Sequence, residues 1–250
     1  MSAPRAIELP VQRRGIGASG RPVLLLHGLG GAAGTWWRVA DGLAAAGFPV
    51  CAPDLRGHGR AAFTSQYRLA DYHADLAALG SDWALIIGQS LGGLLALHLG
   101  LPDPGRARAL LLLDPVLEVP DDRYEVVTRA QLRAVDRPAE PRQIQQQNPG
   151  WHPGDIRAAA EAARGLSPWV VEQTMVQNRP WHHLHRLGEL RVRTHIIGAD
   201  PEHGAVIRER AVAAYLSRQL SFETATGSGH AVYRDAAELV FRRALELLAG

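Results

Sequence analysis

Lysine is absent from this 250-residue chain; all 27 basic residues are arginine. That removes the amine of Schiff-base catalysis and the lysine of a phosphate-binding P-loop. Cysteine occurs once, at Cys51 in the apolar run Phe48-Pro49-Val50-Cys51-Ala52. No internal disulfide can form, and a thiol in such a run reads as buried and inert. No stretch of about 18 apolar residues is present, and Met1 to Glu8 carries no apolar signal core. The expectation is a cytoplasmic protein that does not span a membrane. Excess charge is also scarce: the net charge is +2, and the arginines are scattered. A nucleic-acid partner is therefore not expected, despite a pI near 9.0.

What is present suits one large α/β domain with a substantial core, because 46% of residues are hydrophobic. Apolar runs at Val23 to His27, Phe48 to Ala52, Ala84 to Ile87, Ala109 to Leu113, Val192 to Ile197 and Leu220 to Thr224 read as strands. Ala6 to Arg14 adds an antiparallel edge hairpin with the segment after it. Helix patterns lie between these runs, at Trp36 to Ala46, Leu69 to Ala78, Leu91 to Gly100, Val206 to Ser217 and Ala236 to Leu248. The alternation predicts a mostly parallel, doubly wound sheet. From Pro115 to Glu189 the rhythm breaks, with helix-like stretches near Tyr124 to Val135, Asp155 to Arg164 and Pro168 to Gln177. A structureless connection of that length is improbable in a compact domain. The expected layout is a core of residues 1–114 and 190–250, with a helical cap inserted at 115–189.

The most informative segment is Trp83-Ala84-Leu85-Ile86-Ile87-Gly88-Gln89-Ser90-Leu91-Gly92-Gly93. It runs a strand through G-x-S-x-G into a helix, the pattern of a nucleophile elbow, where a tight turn exposes the serine hydroxyl. With 26 Gly and 9 Ser, roughly one random chain in ten of this composition would contain the pattern, so its context decides. Serine needs a base, and Gly227-Ser228-Gly229-His230 sits between the last strand and the last helix. His230 is the predicted base.

Leu24-Leu25-Leu26-His27-Gly28-Leu29-Gly30-Gly31, Asp54-Leu55-Arg56-Gly57-His58-Gly59, the Ser90 elbow and the His230 loop follow one another in order. In these motifs the chain resembles the α/β-hydrolase fold family, in its small capped esterase, lactonase and C–C hydrolase branch. The resemblance implies backbone oxyanion donors at Leu29 and Leu91, with His27 and the Asp54 to Gly59 turn as structural supports. It also implies an acid after the penultimate strand, where Asp200 stands in Ile196-Ile197-Gly198-Ala199-Asp200. The spacing is one residue shorter than the family's usual pattern, so Glu202 is a local rival. Asp114, at the end of Leu110 to Leu113, is another. Serine at the elbow disfavours dehalogenation and epoxide opening, which use aspartate there.

Trp36, Trp151 and Trp181 are candidates to wall an apolar substrate pocket, although aromatic residues also pack caps onto cores. Trp181-His182-His183-Leu184-His185 superficially resembles a metal cluster but lacks partner carboxylates and ligand spacing, so no metal or other cofactor is expected. The reading is a serine hydrolase that cleaves a small, largely apolar ester or lactone through an acyl-enzyme. A C–C hydrolase, a cofactor-free lyase, a perhydrolase or a weakly catalytic receptor would share the same motifs. The expected partner is a small molecule, and the oligomeric state is open.

Overall fold

The computed structural model describes residues 4–101 and 105–250. Its seven-stranded sheet comprises β1 (Val11–Arg14), β2 (Val23–Leu26), β3 (Val50–Pro53), β4 (Leu85–Gln89), β5 (Ala109–Leu113), β6 (Arg193–Gly198) and β7 (Leu220–Thr224). The order across the sheet is β1-β3-β2-β4-β5-β6-β7. Only β1 runs antiparallel, against β3; the other neighbours are parallel. The N-terminal strand therefore does not form a hairpin with β2, as the sequence suggested. Residues 15–22 carry the chain past β3, which takes the place between them.

Strands buried on both faces read as continuous apolar runs, and their side chains divide by a period of two. Leu24, Leu26, Ile86, Leu110 and Leu112 pack on one face beneath α2 (Leu69–Ala77) and α3 (Leu91–Gly100). Val23, Leu25, Leu85, Ile87, Leu111 and Leu113 pack on the other, with α1 (Trp37–Ala45) and α10 (Ala237–Ala249). Cys51 lies within this sheet at 1% exposure. Burial pushes its thiol up to about 11, which suppresses the thiolate at neutral pH.

Between β5 and β6 the chain forms α4 (Tyr124–Asp136), α5 (Pro141–Gln147), α6 (Pro153–Gly165) and α7 (Pro168–Gln177). Helix α5 begins at a proline in its first turn, and Glu140 and Gln143 form its capping box. The sequence pattern predicts no helix there, because seven residues are too few to establish a helical period. The helix expected over Val206 to Ser217 shrinks to α8 (Glu209–Val212) and a single 3-10 turn at Ala213–Tyr215. Val206 and Ile207 instead give their N–H groups to the Asp114 carboxylate, outside any helix. A short α9 (Val232–Asp235) follows β7. No helix among the described residues is long and apolar enough to cross a membrane.

Candidate active site

Open parallel sheets present their ligand sites beyond the carboxyl ends of the strands, and the candidate residues gather there. Ser90 follows β4 with φ +53°, and Asp114 follows β5 with φ +40°. A side chain in the left-handed region is strained, so the surrounding structure must hold both residues in place. At the elbow that structure is bare backbone. A Cβ on Gly88 would collide with the Gly92 carbonyl, and one on Gly92 with the Leu26 carbonyl. The strand-to-helix turn closes only with glycine at both positions.

His230 meets Asp114, its Nδ1 lying 2.6 Å from Oδ2. Asp114 is wholly buried. Its carboxylate also accepts the Val206 N–H at 3.0 Å and the Ile207 N–H at 3.1 Å, which fixes its orientation. Asp200, the acid favoured by sequence, does not reach His230. It accepts the Gly227 N–H at 2.7 Å and the Glu202 N–H at 2.9 Å, and these two bonds hold its carboxyl below the usual range. Through these bonds Asp200 ties down the loop that leads to His230. Glu202 is exposed and contributes only its backbone to that turn. The sequence signal for Asp114 is four leucines ending in a carboxylate at the carboxyl edge of the sheet.

Leu29 and Leu91 line one cavity with Ser90. Leu91 heads α3, where the first N–H groups have no partner within the helix and favour negative charge. The rest of the lining is mostly apolar and comes from the stretch between β5 and β6: Val116, Val119, Val127, Met175 and Trp181, with Gln131 and Thr174 as polar members. Trp181 is anchored by its indole N–H to the Met175 carbonyl at 3.1 Å and by its own carbonyl to the Val119 N–H at 2.9 Å.

The other two tryptophans lie elsewhere, which corrects the sequence reading. Trp36 is completely buried beneath the sheet and stacks on Tyr233 at 4.3 Å. Trp151 packs against the α5–α6 cluster and donates to the Asp235 carboxylate at 2.6 Å, joining the segment between β5 and β6 to α9. In the histidine-rich run, His183 Nδ1 meets His98 Nε2 at 3.2 Å. Among the described residues no group of three or more His, Cys, Asp or Glu side chains is arranged to hold a metal.

His27 braces the Gly28-Leu29 loop from below. Its Nε2 accepts the Leu55 N–H at 3.0 Å, so the proton sits on Nδ1 and is donated to the Gly28 carbonyl at 2.8 Å. Burial, reinforced by His58, lowers His27 to about 3; burial lowers His58 and His98 to about 4 each. The unfolded chain titrates these groups near the ordinary value of 6.5 and so binds more protons than the folded protein below that pH. Their stabilisation is intact above about pH 6.5 and is lost as pH falls toward 4 and then 3. At pH 5 each group costs about 2 kcal/mol relative to pH 8. Urea midpoints measured at pH 8 and pH 5 are expected to fall steeply. His98→Gln, which cannot titrate, is expected to reduce that fall.

With this geometry in place, the comparisons with known proteins agree on the fold. The chain belongs to the α/β-hydrolase fold family, whose model matches residues 21–168. It is 37% identical over 142 residues to "Lipase LipV" of Mycobacterium tuberculosis, covering 54% of this chain and 53% of that protein. It is also 37% identical over 95 residues to a pimeloyl-[acyl-carrier protein] methyl ester esterase of Edwardsiella ictaluri, covering 38% of this chain and 36% of the esterase. The chain thus spans about half or less of these relatives. An esterase structure from Exiguobacterium antarcticum superposes with TM-score 0.78 over 97% of this chain and 96% of that one, at 17% identity, a likeness of fold alone.

Proposed function

We propose that the chain is a serine hydrolase of small, largely apolar carboxylic esters or lactones. The observation that carries the reading is the 2.6 Å contact between His230 and the buried Asp114, beside an elbow serine that opens on an apolar cavity. Ser90 Oγ attacks the carbonyl carbon as His230 Nε2 takes its proton, and Asp114 holds the opposite edge of the ring. The Leu29 and Leu91 N–H groups receive the oxyanion; one such donor is worth about 3 kcal/mol in the transition state. His230 returns the proton to the departing alcohol. Water then attacks the acyl-enzyme by the same route.

The cavity measures about 40 Å³, room for about three waters at roughly 10–15 Å³ each. A cavity of that size favours a short acyl chain, acetyl or propionyl, over a long one. A serine-directed phosphonate is expected to add once to the wild type and not to Ser90→Ala. Hydrolysis of p-nitrophenyl acetate by that variant should fall at least about 10³-fold. Acetate should also exceed octanoate in kcat/KM. An intact Ser90→Ala protein that kept full esterase activity would overturn the proposal.

A further inference from the structure

Apart from Ser90, the cavity wall holds two polar side chains, Gln131 and Thr174. Gln131 is exposed and can exchange its bonds with bulk water, whereas Thr174 is 0% exposed. The Thr174 hydroxyl lies 2.9 Å from that of Tyr72, which is 0% exposed as well. Among the described residues neither hydroxyl has another partner. Burial pushes the Tyr72 phenol up, so both groups carry a proton at neutral pH. Two protons and one hydrogen bond leave one proton over. Were Thr174 the donor, the spare proton would sit on the Tyr72 oxygen, inside the packed core and without an acceptor, which is the costly arrangement. With Tyr72 as donor, the spare proton belongs to Thr174, beside the cavity, where an occupant can accept it. The backbone beneath it is fixed. Asn178 donates to the Thr174 carbonyl at 2.8 Å and to the Tyr67 carbonyl at 2.7 Å, tying the end of α7 to the segment before α2.

From this geometry we propose that Thr174 is a specificity-determining residue, donating its hydroxyl proton to an oxygen in the acyl chain of the substrate. The inference rests on the serine-hydrolase reading and narrows it to short acyl chains that carry an alkoxy or keto oxygen beyond the scissile carbonyl. The cavity measures about 40 Å³, so a chain that fills it lies against the wall along its whole length. A plain hydrocarbon chain covers Thr174 and leaves the donor unpaired. An ether or keto oxygen at that point restores the bond. One fixed donor in an apolar wall thus separates two chains of equal size by a single atom.

The test uses p-nitrophenyl methoxyacetate and p-nitrophenyl butyrate, whose acyl chains are equally long and differ by an oxygen in place of a methylene. The ratio of their kcat/KM values is measured in the full chain for wild type and Thr174→Val, and again for Tyr72→Phe and Tyr72→Phe/Thr174→Val. Comparing ratios between proteins cancels the greater intrinsic reactivity of the methoxyacetate. Thr174→Val keeps the shape and removes the donor, and it is expected to lower the ratio about fivefold in each background. A ratio that stays within about twofold of the parent in either background would overturn the inference. If Thr174→Val does not fold because the Tyr72 hydroxyl is left alone, the Tyr72→Phe pair decides, since removing both partners leaves no orphan. Failure of the hydrolase reading would look different: no phosphonate adduct at Ser90, or full activity in Ser90→Ala, whatever the ratio. A wild type that hydrolyses neither ester would overturn both.

Discussion

Asp114→Asn is expected to lower kcat about 10⁴-fold, whereas Asp200→Asn leaves it within about threefold. The asymmetry follows from what each carboxylate touches. An asparagine at 114 can still accept the Val206 and Ile207 N–H groups through its oxygen, so the fold around β5 survives. Its amide nitrogen then faces His230 Nδ1 and must donate, which drives the ring proton to Nε2. The proposed base would carry its proton where its lone pair should be. An asparagine at 200 faces the backbone N–H groups of Glu202 in its own turn and of Gly227, with the exposed His203 ring 3.7 Å away, and its remaining oxygen keeps one of the two backbone bonds. Measured on p-nitrophenyl acetate at the pH optimum, a large loss in Asp200→Asn with activity retained in Asp114→Asn would reverse the assignment of the acid.

That contrast also marks how far the sequence can be read. Local signals carry the elbow, because strand, glycine, serine, glycine and helix are contiguous, and each follows from the sterics of one turn. The inner strands are legible because burial on both faces leaves uninterrupted apolar runs. The acid is not a local problem. Asp114 and Asp200 both end strands at the same sheet edge, and choosing between them requires knowing which way the loop after β7 folds. A hydrogen bond to Gly227 turns Asp200 inward, and no periodicity reports such a contact. The tryptophans pose the same difficulty. Trp36 and Trp181 are both almost fully buried, but one beneath the sheet and the other against the cavity.

The largest expected loss of stability lies away from this edge, at a buried ion pair. Arg56 and Asp75 are each 1% exposed and meet at 2.7 Å. Arg56 donates through Nε and Nη2 to the two carboxylate oxygens, and it also caps the carbonyls of Gln66 at 2.6 Å, Asp71 at 2.9 Å and Arg5 at 3.2 Å. Burial pushes the Asp75 carboxyl up, against the pull of the guanidinium and the Ile7 N–H. Desolvation thus offsets much of the attraction, so the intact pair contributes little beyond fixing the geometry. Breaking it is another matter. Asp75→Ala leaves a guanidinium in the core without its bidentate partner, at an expected cost of about 3–5 kcal/mol. The exposed pair Arg14–Asp41, at 41% and 54% exposure, supplies the contrast: Asp41→Ala should change stability by about 0.5 kcal/mol or less. Urea denaturation of both variants checks the difference, and an Asp75→Ala loss below about 1 kcal/mol would overturn the account. The effect on catalysis should be indirect. Arg56 anchors the turn whose Leu55 N–H holds His27, and His27 holds Gly28. Cooling or glycerol that restores the folded fraction of Asp75→Ala should therefore restore kcat, whereas neither treatment should rescue Asp114→Asn.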